Sequence, residues 1–250
     1  MNTNDVKSAK RVLTILQYFA QTKAPASLSQ ISAALGFPKS SCLALLDTLE
    51  GEGYAHQAGG RYYLTRRWFN EARVIAEHDQ LTARIRPVLE ELRESLRETL
   101  ILAQRSGDQV VYLDVAEPER IVRFTARTGE RKPLHAAASG RALLAAMAPA
   151  ERDELIARMP LSRFTDRTPT TREQLRKALE EGDRRGYHVN LGEHQADTLS
   201  VAAPLVLYGT PYALTVGAPL ERAKPRVREI GRMLVDAAEK LAAEADSASA

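Results

Sequence analysis

The sequence predicts an α+β chain in two parts, a small helical head that ends in a β-hairpin and a larger body in which helices alternate with strands. Three observations predict it. Apolar residues recur at helical spacing within residues 6–49, broken by Gly36-Phe37-Pro38. Gly59-Gly60 lies between the aromatic-bearing runs Tyr54–Gln57 and Arg61–Leu64. From Thr99 onward, short β-rich runs separate amphipathic segments. At 250 residues the chain is long enough for two cores.

In the head, Val12, Ile15, Leu16 and Phe19 form the stripe of a first helix over Val6–Gln21. Ser27 and Gln30 have the spacing of a capping box, and Leu28, Ile31, Ala34 and Leu35 follow in phase. Gly36 supplies the left-handed residue that ends this second helix, and Pro38 pre-sets the first turn of a third. There Cys42, Leu45, Leu46 and Leu49 share a buried face, leaving Lys39, Ser40, Ser41, Leu43, Ala44 and Asp47 outside. Two helices joined by a tight glycine turn, the second small and polar on its outer face, make a helix-turn-helix that enters the DNA major groove. The Gly-Gly hairpin reads as its wing.

Arg66–Gln80 continues without Pro or Gly, with Phe69, Ala72, Ile75 and Ala76 on one side, and reads as a linker helix. Residues 1–67, 68–80 and 81–250 are therefore assigned to head, linker helix and body. Leu81–Leu100 carries Ile85, Val88, Leu89, Leu92 and Leu96 in phase, with Pro87 marking a kink or the true helix start. Thr99–Gln104 and Gln109–Val115 form a hairpin around Ser106-Gly107-Asp108, and Ile121–Thr125 is a third strand. Leu134–Gly140 is a small-residue run entering a helix over Arg141–Met147, followed by a short helix over Ala150–Met159. Thr171 and Gln174 open another helix that closes at Gly186. Strands follow at Tyr187–Leu191, Leu199–Leu207 and Tyr212–Ala218, then a helix from Pro225 that frays from Asp246.

Composition narrows the function classes. No run approaches the ~18 apolar residues of a membrane span. Met1–Asp5 lacks the regions of a signal peptide, and a single cysteine, Cys42, excludes an internal disulfide or a multi-cysteine metal cage. The expectation is a cytoplasmic protein without a membrane partner. Residues 1–67 hold eight Lys/Arg against four acids, so the head is basic at +4 while the remainder sums to −1 of the total +3. There is no Walker A, GxGxxG or GxSxG pattern, and Glu193-His194 lacks the second histidine of a zinc-protease motif. His135 beside Ser139 has no third member to complete a triad. No catalytic residue, metal site or cofactor is assigned. A winged-helix adaptor or a ligand-binding enzyme is the alternative reading.

Motifs spread over nearly the whole chain carry a resemblance. They include Arg11–Leu16, Leu35–Ser41, Leu45–Leu49, Gly53-Tyr54, Gly60–Leu64, Ile85–Leu89, Pro133–Ala137, Ser139-Gly140, Ala142–Leu144, Thr168–Thr171, Arg185–Tyr187 and Ala202–Pro204. In order and spacing the chain resembles the IclR family of bacterial transcriptional regulators. The resemblance implies a winged helix-turn-helix joined by a helix to a GAF-like α/β effector domain, operator DNA and a small-molecule effector as partners, and a homodimer or homotetramer. Repressors and activators both occur in the family.

On the DNA side the candidates are Ser27, Lys39, Ser40, Ser41, Leu43, Ala44 and the wing residue Arg61. Lys39 and exposed backbone N–H groups suit phosphate, the serines phosphate or base edges, and Leu43 or Ala44 a thymine methyl. Most family members carry a basic residue where this chain has Ala44, which removes a contact worth about 1–3 kcal/mol of discrimination. On the effector side, small residues at Ala136–Gly140 let a ligand approach backbone, and a helix N-terminus offers N–H groups to a carboxylate. The resemblance places ligand contacts at Ile121, Phe124, Ala138, Ser139, Asn190, Thr198, Ser200, Thr215 and Gly217, with Gly140 completing the run. Asn190 and Gly217 replace the family's usual Asp and Ser, so the expected ligand is a ring-bearing carboxylate resting near Phe124.

Overall fold

Ile15 and Phe19 are buried on α1 (Lys7–Thr22), with Val12 and Leu16 half-buried beside them. This computed structural model describes residues 6–249, and it divides into two units that meet in sequence between Asp79 and Gln80. In the first unit, α2 (Leu28–Leu35) opens with the Ser27–Gln30 capping box and ends at Gly36 with φ +63°. Ser32, rather than Ala34, completes its buried face. Pro38 is the N-cap of α3 (Lys39–Gly51), whose Cys42, Leu46 and Leu49 meet Ile15 and Ile31 in one core. Burying aliphatic side chains of this size contributes about 1.5–3 kcal/mol each. Strands β1 (Ala55–Ala58) and β2 (Arg61–Leu64) pair through Ala58 and Arg61, and positive φ at Gly59 and Gly60 gives the two-residue turn. Ala26 bridges to Tyr62, tying the wing to the start of the helix-turn-helix.

The linker helix is shorter than expected. Helix α4 (Arg67–Glu77) ends at His78, whose ring lies 2.8 Å from the Val74 carbonyl oxygen while its backbone N–H turns to Ile75. The ring thus occupies the acceptor that the next helical hydrogen bond would use. A new helix, α5 (Gln80–Leu96), follows Asp79, a residue type that favours helix starts. Pro87 lies inside α5 and is not its beginning.

The second unit is a six-stranded antiparallel sheet between two helical layers. Its strands are β3 (Thr99–Ser106), β4 (Gln109–Ala116) and β5 (Arg131–Pro133), then β6 (His188–Leu191), β7 (Thr198–Leu207) and β8 (Thr210–Pro219), in spatial order β5-β4-β3-β8-β7-β6. Side chains alternate across it. Leu100 and Leu102 of β3 join one core with Ile85, Leu89, Ile230 and Leu234, while Ile101 and Ala103 join the opposite one with Leu143, Leu155 and Leu175. The latter layer consists of α6 (Ala138–Ala145), α7 (Pro149–Arg158) and α8 (Arg172–Asp183), the last opened by the Thr171–Gln174 capping box. A short α9 (Leu220–Ala223) and a 3-10 turn holding Pro225 precede α10 (Val227–Ser249), so the last helix starts at Val227 rather than at Pro225. Buried Ala245 holds α10 past the expected fraying point.

Two further expectations are corrected. Ile121–Thr125 is no strand: the segment 117–130 is a loop, and the edge of the sheet is taken by β5 instead. Around Ile121–Thr125, side chains bond to the backbone where a strand partner would. Thr99 Oγ1 donates to the Phe124 carbonyl, Arg222 to the Val122 carbonyl at 3.0 Å, and Glu117 accepts from Ala126 N–H at 3.1 Å. Helix α6 begins at Ala138, three residues before Arg141, because Gly140 lets it approach Leu134, whose carbonyl oxygen would stand 2.1 Å from a Cβ.

Candidate nucleic-acid interface and ligand cavity

The buried side of α3 fixes what its other side presents. Lys39, Ser40, Leu43, Ala44 and Asp47 are exposed and Ser41 is half-buried. Pro38 offers no capping side chain and the first turn has no acid, so backbone N–H groups and the positive end of the helix dipole are open to an anion beside Lys39. Ser27 is partly engaged: its Oγ accepts from Gln30 N–H at 3.3 Å, leaving its hydroxyl proton. Arg61 is exposed on the wing, with one Nη1 donating to the Pro25 carbonyl at 3.3 Å.

Four contacts that the sequence did not reveal position this wing. Gln57 N–H donates to Glu50 of α3 at 3.1 Å. Behind it, Tyr54 donates to Glu71 at 2.6 Å, Trp68 Nε1 donates to the Tyr54 carbonyl, and the Arg67 guanidinium lies 4.4 Å from the Tyr54 ring centre. Hydrogen bonds from Arg67 and Tyr54 hold the Glu71 carboxyl below its ordinary range. These contacts bind α4 to the hairpin. On α4 itself no residue is buried, and Phe69 and Ile75 are 60% and 71% exposed, so its apolar side has no cover within the unit.

The cavity lies on the α6 side of the sheet, and strand register builds it. Asn190, Ser200 and Gly217 are direct partners across β6, β7 and β8, and one rung along Thr215 pairs with Ile101. With Thr198 and Tyr112 they line one hollow, closed by Phe124, Lys132, Ala136, Ala137, His194 and Gln195. Counted out to its open mouth it is about 360 Å³. The Phe124 ring forms part of its wall, packed on Gly217. The Thr215 hydroxyl, 1% exposed, has no hydrogen-bond partner among the described residues. A buried polar group left in that state costs about 1–3 kcal/mol, which a ligand group bonded to it would recover.

Around the cavity runs a polar frame. Arg141, 1% exposed, donates to Glu193 at 2.6 and 3.2 Å and to the Val189 carbonyl. Asn190 is engaged at both ends, donating to the Ala136 carbonyl at 2.6 Å and accepting from Glu193 N–H at 2.8 Å. Thr165 and Thr168 donate to the carbonyls of Gly192 and Glu193. Burial pushes the His135 and His194 imidazoles down. His135 Nε2 lies 2.9 Å from the Ser162 carbonyl oxygen, an interaction with the frame rather than with Ser139.

Six of the sequence candidates thus share one wall set: Phe124, Asn190, Thr198, Ser200, Thr215 and Gly217. Ala138, Ser139 and Gly140 are buried in the first turn of α6, behind the lining residues Ala136 and Ala137. Ile121 is fully exposed on the loop and is not part of the lining. Ile101 and Tyr112 carried a signal in strand alternation that sequence reasoning passed over. Lys132, His194 and Gln195 carried none, since they lie on an unpredicted strand and in the β6–β7 loop.

Two family models match the chain. The IclR helix-turn-helix domain covers residues 8–59, and the bacterial transcriptional regulator IclR C-terminal domain covers 73–243. The chain belongs to the IclR family of bacterial transcriptional regulators. Among its relatives, the transcriptional repressor IclR of Escherichia coli is 26% identical over 96% of this chain and 90% of its own. A Cupriavidus necator protein named "Probable transcriptional regulator SauR" is 32% identical over 82% of each chain. The crystal structure of an IclR homolog from Microbacterium hydrocarbonoxydans, complexed with 4-hydroxybenzoate, is 26% identical with a TM-score of 0.77, covering 96% of this chain and all of that one. This IclR-family chain is accordingly a DNA-binding transcriptional regulator and not an enzyme. Among its described residues no helix is long and apolar enough to cross a membrane.

Proposed function

We propose that this regulator reads operator DNA with the α3 surface from Lys39 to Asp47 and the wing residue Arg61, and that the cavity beneath Phe124 receives a ring-bearing carboxylate. The observation that carries the effector half is the buried, unpartnered Thr215 hydroxyl in a largely apolar hollow. The 4-hydroxybenzoate bound by a relative is a compound of this class. In this reading the Phe124 ring, packed on Gly217 at the cavity wall, shifts aside to admit the ligand ring.

The active species in this reading is a cytoplasmic homodimer or homotetramer, with the exposed apolar side of α4 supporting association with its twin. Repression is the mode proposed, on the names of relatives such as the E. coli repressor. Effector binding shifts the bodies, and α4, clasped to the wing through Tyr54 and Arg67, carries the shift to the heads. Calorimetric screening of aliphatic and aromatic acids tests the effector half. Heat of binding for ring-bearing acids supports it, whereas binding of uncharged compounds alone overturns it. Sedimentation of the intact chain as a monomer at micromolar concentration would remove the oligomer.

A further inference from the structure

We infer that Lys132 is the charge-selective residue of the cavity: an effector carboxylate takes Lys132 from Glu130, and Glu130 sets how tightly organic anions are held. The inference deepens the proposed effector site and rests on that reading. Lys132 lies on β5, the edge strand, paired with Val110 of β4. Glu130 is the loop residue just before the strand, and the Lys132 Nζ–Glu130 Oε1 distance is 2.8 Å.

The two partners are unequally placed. The Lys132 side chain is 13% exposed and lines the cavity, whereas Glu130 is 31% exposed and lies outside the lining. Lys132 is also the one Lys, Arg, Asp or Glu among the described lining residues, while burial and the nearby ammonium push the His194 imidazole toward its neutral form. Apart from His194, the remaining polar lining groups, Tyr112, Ser200 and Gln195 among them, carry no charge to set against an anion. Both ends of Asn190 are engaged, Thr198 donates to the Gln195 carbonyl, and Thr215 is an uncharged donor. The first turn of α6, the expected carboxylate site, stands behind Ala136 and Ala137.

Replacing Glu130 by a ligand carboxylate therefore exchanges one anion for another at the same ammonium. No unpaired charge is created inside, and the displaced Glu130 turns to water. An uncharged ligand gains nothing from the exchange. The preferred class is organic monoanions, with the ring on the apolar wall of Ile101 and Phe124 and a neutral polar substituent at Thr215.

The test uses the full chain, calorimetry and thermal shift, and matched acid and amide pairs: 4-hydroxybenzoate with 4-hydroxybenzamide, benzoate with benzamide, and cyclohexanecarboxylate with its amide. Wild type favours the acids. Lys132→Met weakens the acids about tenfold or more, to the level of the amides, and Lys132→Arg restores part of the preference. Glu130→Gln tightens the acids several-fold without tightening the amides, a gain that a merely structural glutamate would not give. Retained amide binding by Lys132→Met reports that the cavity is still folded. An acid preference that survives in Lys132→Met, or a Glu130→Gln variant that weakens acids and amides alike, overturns the inference and leaves the proposed effector class standing. Wild type that binds none of the acids overturns that class and the inference with it.

Discussion

The Phe124 ring rests directly on Gly217: a Cβ at 217 would lie 2.5 Å from ring atom Cδ1 and under 3 Å from two more ring carbons. Glycine at this place on β8 is therefore what lets the ring pack against the strand at the cavity wall. Gly217→Ala forces the ring outward and costs about 1–3 kcal/mol in urea denaturation of the otherwise wild-type chain. In a Phe124→Ala background the same substitution costs close to nothing. Equal costs in the two backgrounds would show that the ring does not depend on this glycine.

Arg141 is the largest fully buried side chain, and its carboxylate partner Glu193 belongs to the β6–β7 loop that walls the cavity. Arg141→Met strands that carboxylate and the Val189 carbonyl, and about 3 kcal/mol or more of stability goes with it. Glu193→Gln keeps hydrogen-bond acceptance and is milder. Denaturant midpoints with an unchanged m-value measure both, and a neutral Arg141→Met would mean that the frame is dispensable.

His188 is buried with its Nδ1 unpartnered, and burial, with Arg141 and Arg185 nearby, pushes its pKa down to about 3. In the unfolded chain imidazole titrates near 6.5, so between about pH 6.5 and 3 the unfolded state binds the extra proton. This contribution is full above about pH 6.5 and is lost as pH falls, by up to about 1.4 kcal/mol per pH unit. His135 and His194, also shifted down, add with the same sign. His188→Gln flattens part of this acid limb in urea titrations from pH 7 to about 4. An unaltered slope would place the sensitivity elsewhere.

At the DNA surface, Lys39→Ala lowers affinity about equally for all sequences and reduces the magnitude of the log–log salt slope by about 0.9, the signature of one lost phosphate contact. Ser40→Ala, with no charge at stake, leaves the slope unchanged. Anisotropy titrations of labelled duplex over a salt series distinguish the two. An undiminished slope in Lys39→Ala removes this residue from the phosphate contacts.

The head was legible because its signals are local. The Ser27–Gln30 box, the left-handed Gly36, the Cys42–Leu49 stripe and the Gly59-Gly60 turn each act over a few residues, and each appears in the structure. All the sheet strands except the edge strand β5 were legible in the same way. Most of what was missed depends on long-range partners. The Val122 and Phe124 carbonyls bond to Arg222 and Thr99, which turns an apparent strand into a loop. The end of α4 depends on the His78 ring, which periodicity does not register. Within the cavity, paired positions such as Thr198/Ser200 and Thr215/Gly217 share a face by strand alternation, while Lys132 and His194 arrive there through tertiary folding alone.

The most direct test of the account joins the two sites. With an acid from the calorimetric screen, its affinity is measured by calorimetry on the free chain and on the chain saturated with its operator, and operator affinity is measured with and without the acid. The account predicts that both affinities change by the same factor, on the order of 5–150-fold. An acid affinity that is identical with and without operator would contradict it.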